Sequence, residues 1–314
     1  MDLGEFHKPV LLKEVLYYLN LKKSDIIFDG TLGGAGHTIE IIKVIAPTGR
    51  VIGVDLHRQA ISTATKLLKE FSDRVDIVKG NFADIDKILK RLNVESVSGI
   101  LLDLGLSSFM IEKSGRGFSY LKNEELNMKF GEDSGVNAFD VVNKYSVEKL
   151  TGIFYKYGEE RWSKSIARNI VDYRKGRDIN TTGELVDIIK DSIPHRFSNS
   201  RRGHPAKRIF QAIRIEVNRE LDNLEKAIED GFKLLKSGGR MVIISYHSLE
   251  DRLVKRKFLD YEGKIDYPPD FPVYSSDRDK EARIITRRVV KASPEEALSN
   301  PRSKSARLRV LEKL

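Results

Sequence analysis

The sequence predicts an α/β protein: a parallel sheet with right-handed crossovers, interrupted by a helical insertion. Short apolar runs that each stop at an acid or a glycine alternate with helical periodicity through residues 10–110. Helical character then dominates from Asn137 to Pro194, and β-like runs return after Gly239. Strand and helix alternating at this spacing require crossovers of one hand, hence parallel strands.

Four strands are expected first: Ile26–Phe28 ending at Asp29, Arg50–Val54 ending at Asp55, Val75–Val78 ending near Gly80, and Gly99–Leu102 ending at Asp103. Helices over Thr38–Ile45, Gln59–Phe71 and Ile85–Leu92 separate them. Residues 110–135, with scattered Gly, Ser and Asn, read as an extended loop region. Ser146 is placed to cap a helix over Val147–Tyr157, with Gly158 as its terminator. Thr181 and Glu184 form a capping box ahead of Leu185–Ile193. Ile209, Ile213, Val217, Leu221, Leu224 and Ile228 then recur at spacings of three and four, the stripe of one long amphipathic helix. Further strands are expected at Arg240–Tyr246, Arg283–Val290 and Ala306–Leu311. The resulting division is 1–109 with 205–314 as the sheet domain, and 110–204 as the helical insertion.

Composition narrows the function. The 314 residues contain 40% apolar and 32% charged side chains, ordinary for a globular protein. No unbroken apolar stretch of about 18 residues suggests a membrane span, and Met1–Leu12 lacks the apolar middle of a secretory signal, so a cytoplasmic location without membrane partners is expected. The absence of cysteine removes disulfides and thiolate chemistry, and the six histidines show no HExxH spacing, so no metal site is expected. A formal charge of +9 favours an anionic partner.

The chemistry concentrates at the strand ends. In Asp29-Gly30-Thr31-Leu32-Gly33-Gly34-Ala35-Gly36-His37 a strand runs into a glycine-rich turn and then a helix. The spacing is not the G-x-G-x-x-G of a dinucleotide site, and an acid ahead of the turn would repel a phosphate. That acid suits the ammonium and sulfonium of S-adenosylmethionine. Asp55 is placed to accept from both hydroxyls of a ribose, Phe82 to lie against an adenine, and Asp103 to stand where a reactive methyl would point. Taken singly, strand-end acids are mostly caps and Phe82 is core. Four such features on one carboxyl edge, where open α/β sheets bind ligands, point to a nucleoside cofactor.

Longer strings extend this reading. His7-Lys8-Pro9-Val10-Leu11-Leu12, Gly33-Gly34-Ala35-Gly36-His37, Leu102-Asp103-Leu104-Gly105-Leu106-Ser107-Ser108, Arg116-Gly117-Phe118-Ser119 and Tyr157-Gly158-Glu159-Glu160-Arg161 occur in order. His204-Pro205-Ala206-Lys207-Arg208, His247-Ser248-Leu249-Glu250-Asp251-Arg252 and Arg302-Ser303-Lys304-Ser305-Ala306 follow. Together they resemble the ribosomal small-subunit RNA cytosine-N4 methyltransferase family across essentially the whole chain. The resemblance implies a class I, Rossmann-like S-adenosylmethionine-dependent methyltransferase sheet with an inserted helical substrate domain. It also implies methyl transfer to N4 of a decoding-site cytidine in 16S rRNA of the small ribosomal subunit. Cofactor positions carried over are Ala35, Gly36, His37, Asp55, Phe82, Asp103 and Met110, and Gly33 and Gly34 of the same turn join them as candidate cofactor contacts. The chain departs from the family at His57, where a second acid is common, and at Met110, commonly Gln. Asn127 and Gly131 also replace acids in Leu126-Asn127-Met128-Lys129-Phe130-Gly131.

A cytosine amino group is a weak nucleophile, so a site must hold it in line and accept its N–H hydrogens. Asp103, backbone near Leu104 and Ser107 are the expected acceptors, with capping the competing role for Ser107. The base must be single-stranded or flipped out to reach them. Arg196, Arg201, Arg202, His204, Lys207 and Arg208 gather ahead of a helix N-terminus, where cations oppose the dipole unless phosphate compensates. They form the candidate RNA-binding patch, with a solvated loop as its alternative. His247 reads more readily as part of a turn capped by Ser248 and Asp251 than as a base, and Trp162 as core. A methyltransferase for another RNA or an amine, and a non-catalytic RNA-binding assembly factor, are the competing functions. A homodimer is one assembly open to the chain.

Overall fold

The computed structural model describes residues 9–106, 110–111, 114–131, 135–194, 204–264 and 280–314. They form two compact units, one of residues 1–105 with 221–314 and one of residues 106–220. Among the described residues no helix is long and apolar enough to cross a membrane.

The first unit is built on a seven-stranded sheet of order β3-β2-β1-β4-β5-β7-β6. Its strands are β1 Ile26–Asp29, β2 Arg50–Asp55, β3 Val75–Lys79, β4 Val97–Asp103, β5 Leu235–Ser245, β6 Ala282–Ile284 and β7 Arg307–Lys313. The first five pair in parallel, while β7 runs antiparallel to both β5 and β6. Strand order reverses between β1 and β4, which opens a crevice at their carboxyl ends. Side chains alternate across the sheet. Phe28, Ile52, Val54, Ile100 and Leu102 pack one face beneath Leu89, Ile228 and Phe258. Ile27, Val51 and Leu101 pack the other beneath Val15, Ile41 and Ala64. A sheet covered on both faces needs the unbroken Val and Ile runs seen in the sequence.

The second unit contains helices Ala138–Lys144, Val147–Gly158, Ser163–Tyr173, Thr182–Asp191 and Ala206–Asn218. Its core is Val141, Leu150, Phe154, Ile166, Ile170, Leu185, Ile189, Ile209 and Ile213, with Met110 and Trp162 packed against it. Thr181 and Glu184 form the expected capping box, and the Ser146 hydroxyl accepts from Lys149 N at 3.2 Å.

Several sequence expectations are corrected. The long helix is two, Ala206–Asn218 and Glu220–Leu234, separated by Arg219 at φ 49°. The first of these packs with Val147–Gly158, so residues 205–220 join the helical unit and not the sheet. Glu159, at φ 48°, terminates its helix in place of Gly158. Gly158 is small for another reason: a Cβ there would lie 3.0 Å from the Arg208 carbonyl oxygen. The run expected over 283–290 is a strand only at Ala282–Ile284, with an isolated bridge from Val290 to Leu308.

Candidate active site

The turn after β1 is organised by two acids. Asp29 is 1% exposed, accepting from Thr31 N (3.1 Å) and from the Thr38 hydroxyl (2.6 Å). Its oxygens thus fasten the turn to the helix Gly36–Val44. Asp55 accepts from Gly33 N through Oδ2 and from His57 N through Oδ1, both at 2.8 Å. A carboxylate has about four lone-pair positions, so each oxygen keeps capacity for one more donor. His57 acts on Asp55 through its backbone N–H, a bond independent of the side chain at that position.

Glycines shape the space between these acids. Gly33 holds φ 51°, and neither Gly33 nor Gly34 would bring a Cβ within 3.4 Å of another atom, so both line open space. Gly36 instead lies against Pro9, whose Cδ would sit 3.2 Å from an added Cβ. Ala35, at φ 62°, is buried and precedes the helix Gly36–Val44. Phe82 begins a 3₁₀ turn capped by Asn81, whose side chain accepts from Ala83 N at 2.9 Å, and it packs on the sheet core while half-buried.

Asp103 ends β4 beside this turn. Its N–H donates to the Thr31 hydroxyl oxygen (2.7 Å), tying the ends of β1 and β4 together. Oδ1 accepts from the Tyr246 hydroxyl at 2.7 Å, and Oδ2 lies 4.0 Å from His37 Nδ1. His37 Nε2 donates to the Val10 carbonyl at 2.9 Å, which fixes the buried ring. Burial raises the carboxyl groups of Asp29, Asp55 and Asp103 above the ordinary value, against the hydrogen bonds that favour their ionised forms. The Leu104 N–H is committed to the Ile244 carbonyl at 3.0 Å, continuing the sheet.

Sequence reasoning missed Thr31, Thr38 and Tyr246. Tyr246 was legible only as a polar residue closing a strand on the edge where the acids lie. His247 is the N-cap of the helix Ser248–Tyr261 and shares a capping box with Glu250, correcting the expected Ser248 and Asp251 pair. Asp251 instead holds Arg309 Nε (2.7 Å) and Arg307 (3.0 Å) of β7.

Ser107, Arg196, Arg201 and Arg202 lie outside the described residues. Met110 and the remaining patch residues belong to the helical unit. His204 stacks on Tyr120 with centroids 5.0 Å apart, and its Nδ1 accepts from Ala206 N at 3.2 Å. Arg208 reaches buried Glu160 at 3.4 Å, so its charge is partly spent inside the unit, whereas Lys207 is exposed. Asn127 accepts from Lys129 N at 3.0 Å, a turn bond an aspartate could equally make.

A family-wide sequence model, described as the MraW methylase family, matches residues 4–314. The chain belongs to this family. It is 46% identical over 98% of its length to "Ribosomal RNA small subunit methyltransferase H" of Clostridium botulinum, covering 99% of that protein. A Lachnospira eligens protein of the same name is 46% identical, over 98% of each chain. Among solved structures, a putative rRNA-methylase from Clostridium thermocellum aligns with a TM-score of 0.46 at 14% identity, covering 98% of this chain and all of that one. As a MraW methylase with a class I, mostly parallel sheet, the protein is an S-adenosylmethionine-dependent methyltransferase. The open glycine turn and the half-used Asp55 carboxylate fit that donor.

Proposed function

We propose that this methylase modifies N4 of a cytidine at the decoding site of 16S rRNA in the small ribosomal subunit. Two relatives named for that subunit's RNA, each matching over almost the whole chain, support the RNA substrate. The observation that carries the chemistry is the Asp103 carboxylate, held at the strand-order reversal beside the glycine turn, where the Tyr246 hydroxyl and the Gly105 N–H use two of its about four lone-pair positions. S-adenosylmethionine supplies a methyl group on positively charged sulfur. Gly33, Gly34 and Asp55 would hold it, Asp55 through the ribose hydroxyls and Phe82 against the adenine. Ala35, Gly36 and His37 support that turn and the helix behind it.

Asp103 serves the nucleophile. The amino nitrogen's lone pair is delocalised into the ring, and an N–H bond accepted by a carboxylate returns density to nitrogen. As the new N–C bond forms, the methyl–sulfur bond breaks with its electron pair returning to sulfur as a neutral thioether, nitrogen sheds one proton, and Asp103 is the proposed group to receive it before solvent does. Holding the reactants in line contributes a further share, up to about 7–11 kcal/mol in favourable systems. Exposed Lys207, with the arginines preceding it in sequence, is the patch proposed to meet RNA phosphate. Small subunits from a strain lacking this protein, incubated with protein and labelled donor, should acquire label in N4-methylated cytidine at one decoding-site position. Label elsewhere, or none, would remove the proposal.

A further inference from the structure

We propose that Tyr246 is a positioning residue for methyl transfer: its hydroxyl donates to Asp103 Oδ1 at 2.7 Å and so reserves Oδ2 for the amino nucleophile. The inference rests on the reading of Asp103 given above. A carboxylate at a strand end turns about its Cα–Cβ and Cβ–Cγ bonds, and either oxygen can face a substrate unless something selects one. Here the selection comes from the end of the neighbouring strand, since Asp103 pairs with Ile244 and Tyr246 lies just past Ser245. Gly105 leaves the space that the ring fills: a Cβ on that residue would meet Tyr246 Cε2 at 2.8 Å and Cζ at 3.0 Å. The chain therefore omits a side chain where the phenol needs room.

The groups facing Asp103 come from every element around it. Asp29 at the end of β1 adds like charge, whereas His37, the Gly105 N–H, the Tyr246 hydroxyl and the field of Arg302 favour its ionised form. Burial first, then the charge of Asp103, pushes the Tyr246 phenol far up, so it stays a neutral donor wherever the enzyme works. It therefore cannot act as the proton acceptor, and its effect reaches the amine only through Asp103.

Tyr246→Phe keeps the ring and removes the donor. Donor affinity, measured by calorimetry, should stay within about twofold. The single-turnover methylation rate on unmodified small subunits should fall about tenfold, the usual effect of losing a hydrogen bond to a charged group. Asp103 loses a stabiliser of its ionised form, so the acid limb of the pH–rate profile should move to higher pH. A merely structural role would lower melting temperature without moving that limb. Gly105→Ala, whose Cβ would displace the same ring, should reproduce the shift. Unchanged rate and an unmoved acid limb in Tyr246→Phe would overturn the inference. Full turnover in Asp103→Asn would instead overturn the reading of Asp103 on which it rests.

Discussion

Replacing Asp55 by Asn tests the cofactor site most directly. The two backbone N–H bonds at 2.8 Å occupy one lone pair on each oxygen, leaving one on each for a ribose hydroxyl. An asparagine keeps a single acceptor oxygen, and its amide must turn two hydrogens toward either the Gly33 or the His57 N–H. The variant therefore loses at least one charge-assisted bond to the ligand, worth about 1.5–3 kcal/mol. At about 1.4 kcal/mol per decade this is roughly a 10- to 150-fold rise in Kd. Titration calorimetry with S-adenosylmethionine and its demethylated product reads the loss, with circular dichroism confirming the fold. The pH dependence gives a second reading. Burial raises the Asp55 carboxyl above 3.8, and the ligand needs the ionised form, so wild-type affinity should be full above that raised value and fall as pH drops through it. Asp55→Asn should be weak and flat over the same range. Binding within threefold of wild type would refute the assignment.

Asp103→Asn should lower single-turnover methylation about 100-fold or more while leaving the melting temperature unchanged or higher. Burial raises this carboxyl above its unfolded value, so its ionisation costs folding stability above the folded pKa, and an amide removes that cost. Asp251→Asn should do the reverse, costing about 2–4 kcal/mol in chemical denaturation because Arg309 and Arg307 lose a part-buried partner. Burial pushes Asp251 up, but the two arginines hold it below 3.8, so its contribution is complete above that value and should vanish as pH falls through the lower folded pKa. Gly158→Val should destabilise the helical unit by about 1–3 kcal/mol, since its side chain meets the Arg208 backbone. Lys207→Ala should reduce the slope of log affinity for rRNA against log salt by about one. An unaltered slope would take Lys207 out of the RNA patch.

The sheet was legible because each strand is a short apolar run stopped by an acid, and β1, β2 and β4 end at the expected residues Asp29, Asp55 and Asp103. The break at Arg219 was not. The apolar stripe continues across it, no Gly or Pro marks it, and the left-handed residue sits beside the ion pair of Arg214 with Glu220 (2.8 and 2.9 Å). Glu159 hid in the same way beside Gly158, whose small size answers to packing. Sequence placed Asp29 at a strand end but could not aim its carboxylate. That depends on Thr38, nine residues on, whose hydroxyl reaches back only once the helix has formed. Motif strings located the Asp103 loop, yet Tyr246 enters it from β5, more than a hundred residues away in the chain.

The acids of the sheet unit divide by what holds them, and the division separates structure from chemistry. Glu312 accepts from Arg240 at 2.8 Å and pairs with Arg283, Glu262 pairs with Arg287 and Lys264, and Asp251 with Arg307 and Arg309. In all of these burial works upward, yet the cations hold the carboxyl groups low. They fasten β6, β7 and the helix Ser248–Tyr261, and their charge is spent. At the carboxyl edge, Asp55 is held by backbone N–H groups and Asp29 by an N–H and a threonine hydroxyl. Asp103 takes a phenol, with His37 at 4.0 Å. Hydrogen bonds from N–H and hydroxyl groups orient these carboxylates, and burial outweighs them together with the fields of His37 and Arg302, so the carboxyl groups stay raised. An arginine placed against Asp55 or Asp103 would make the fold more secure and the edge chemically inert. Under the proposed reading Asp55 and Asp103 are the acids kept for chemistry, and the arginine-clamped side of the same sheet supplies stability to set against the cost of burying them.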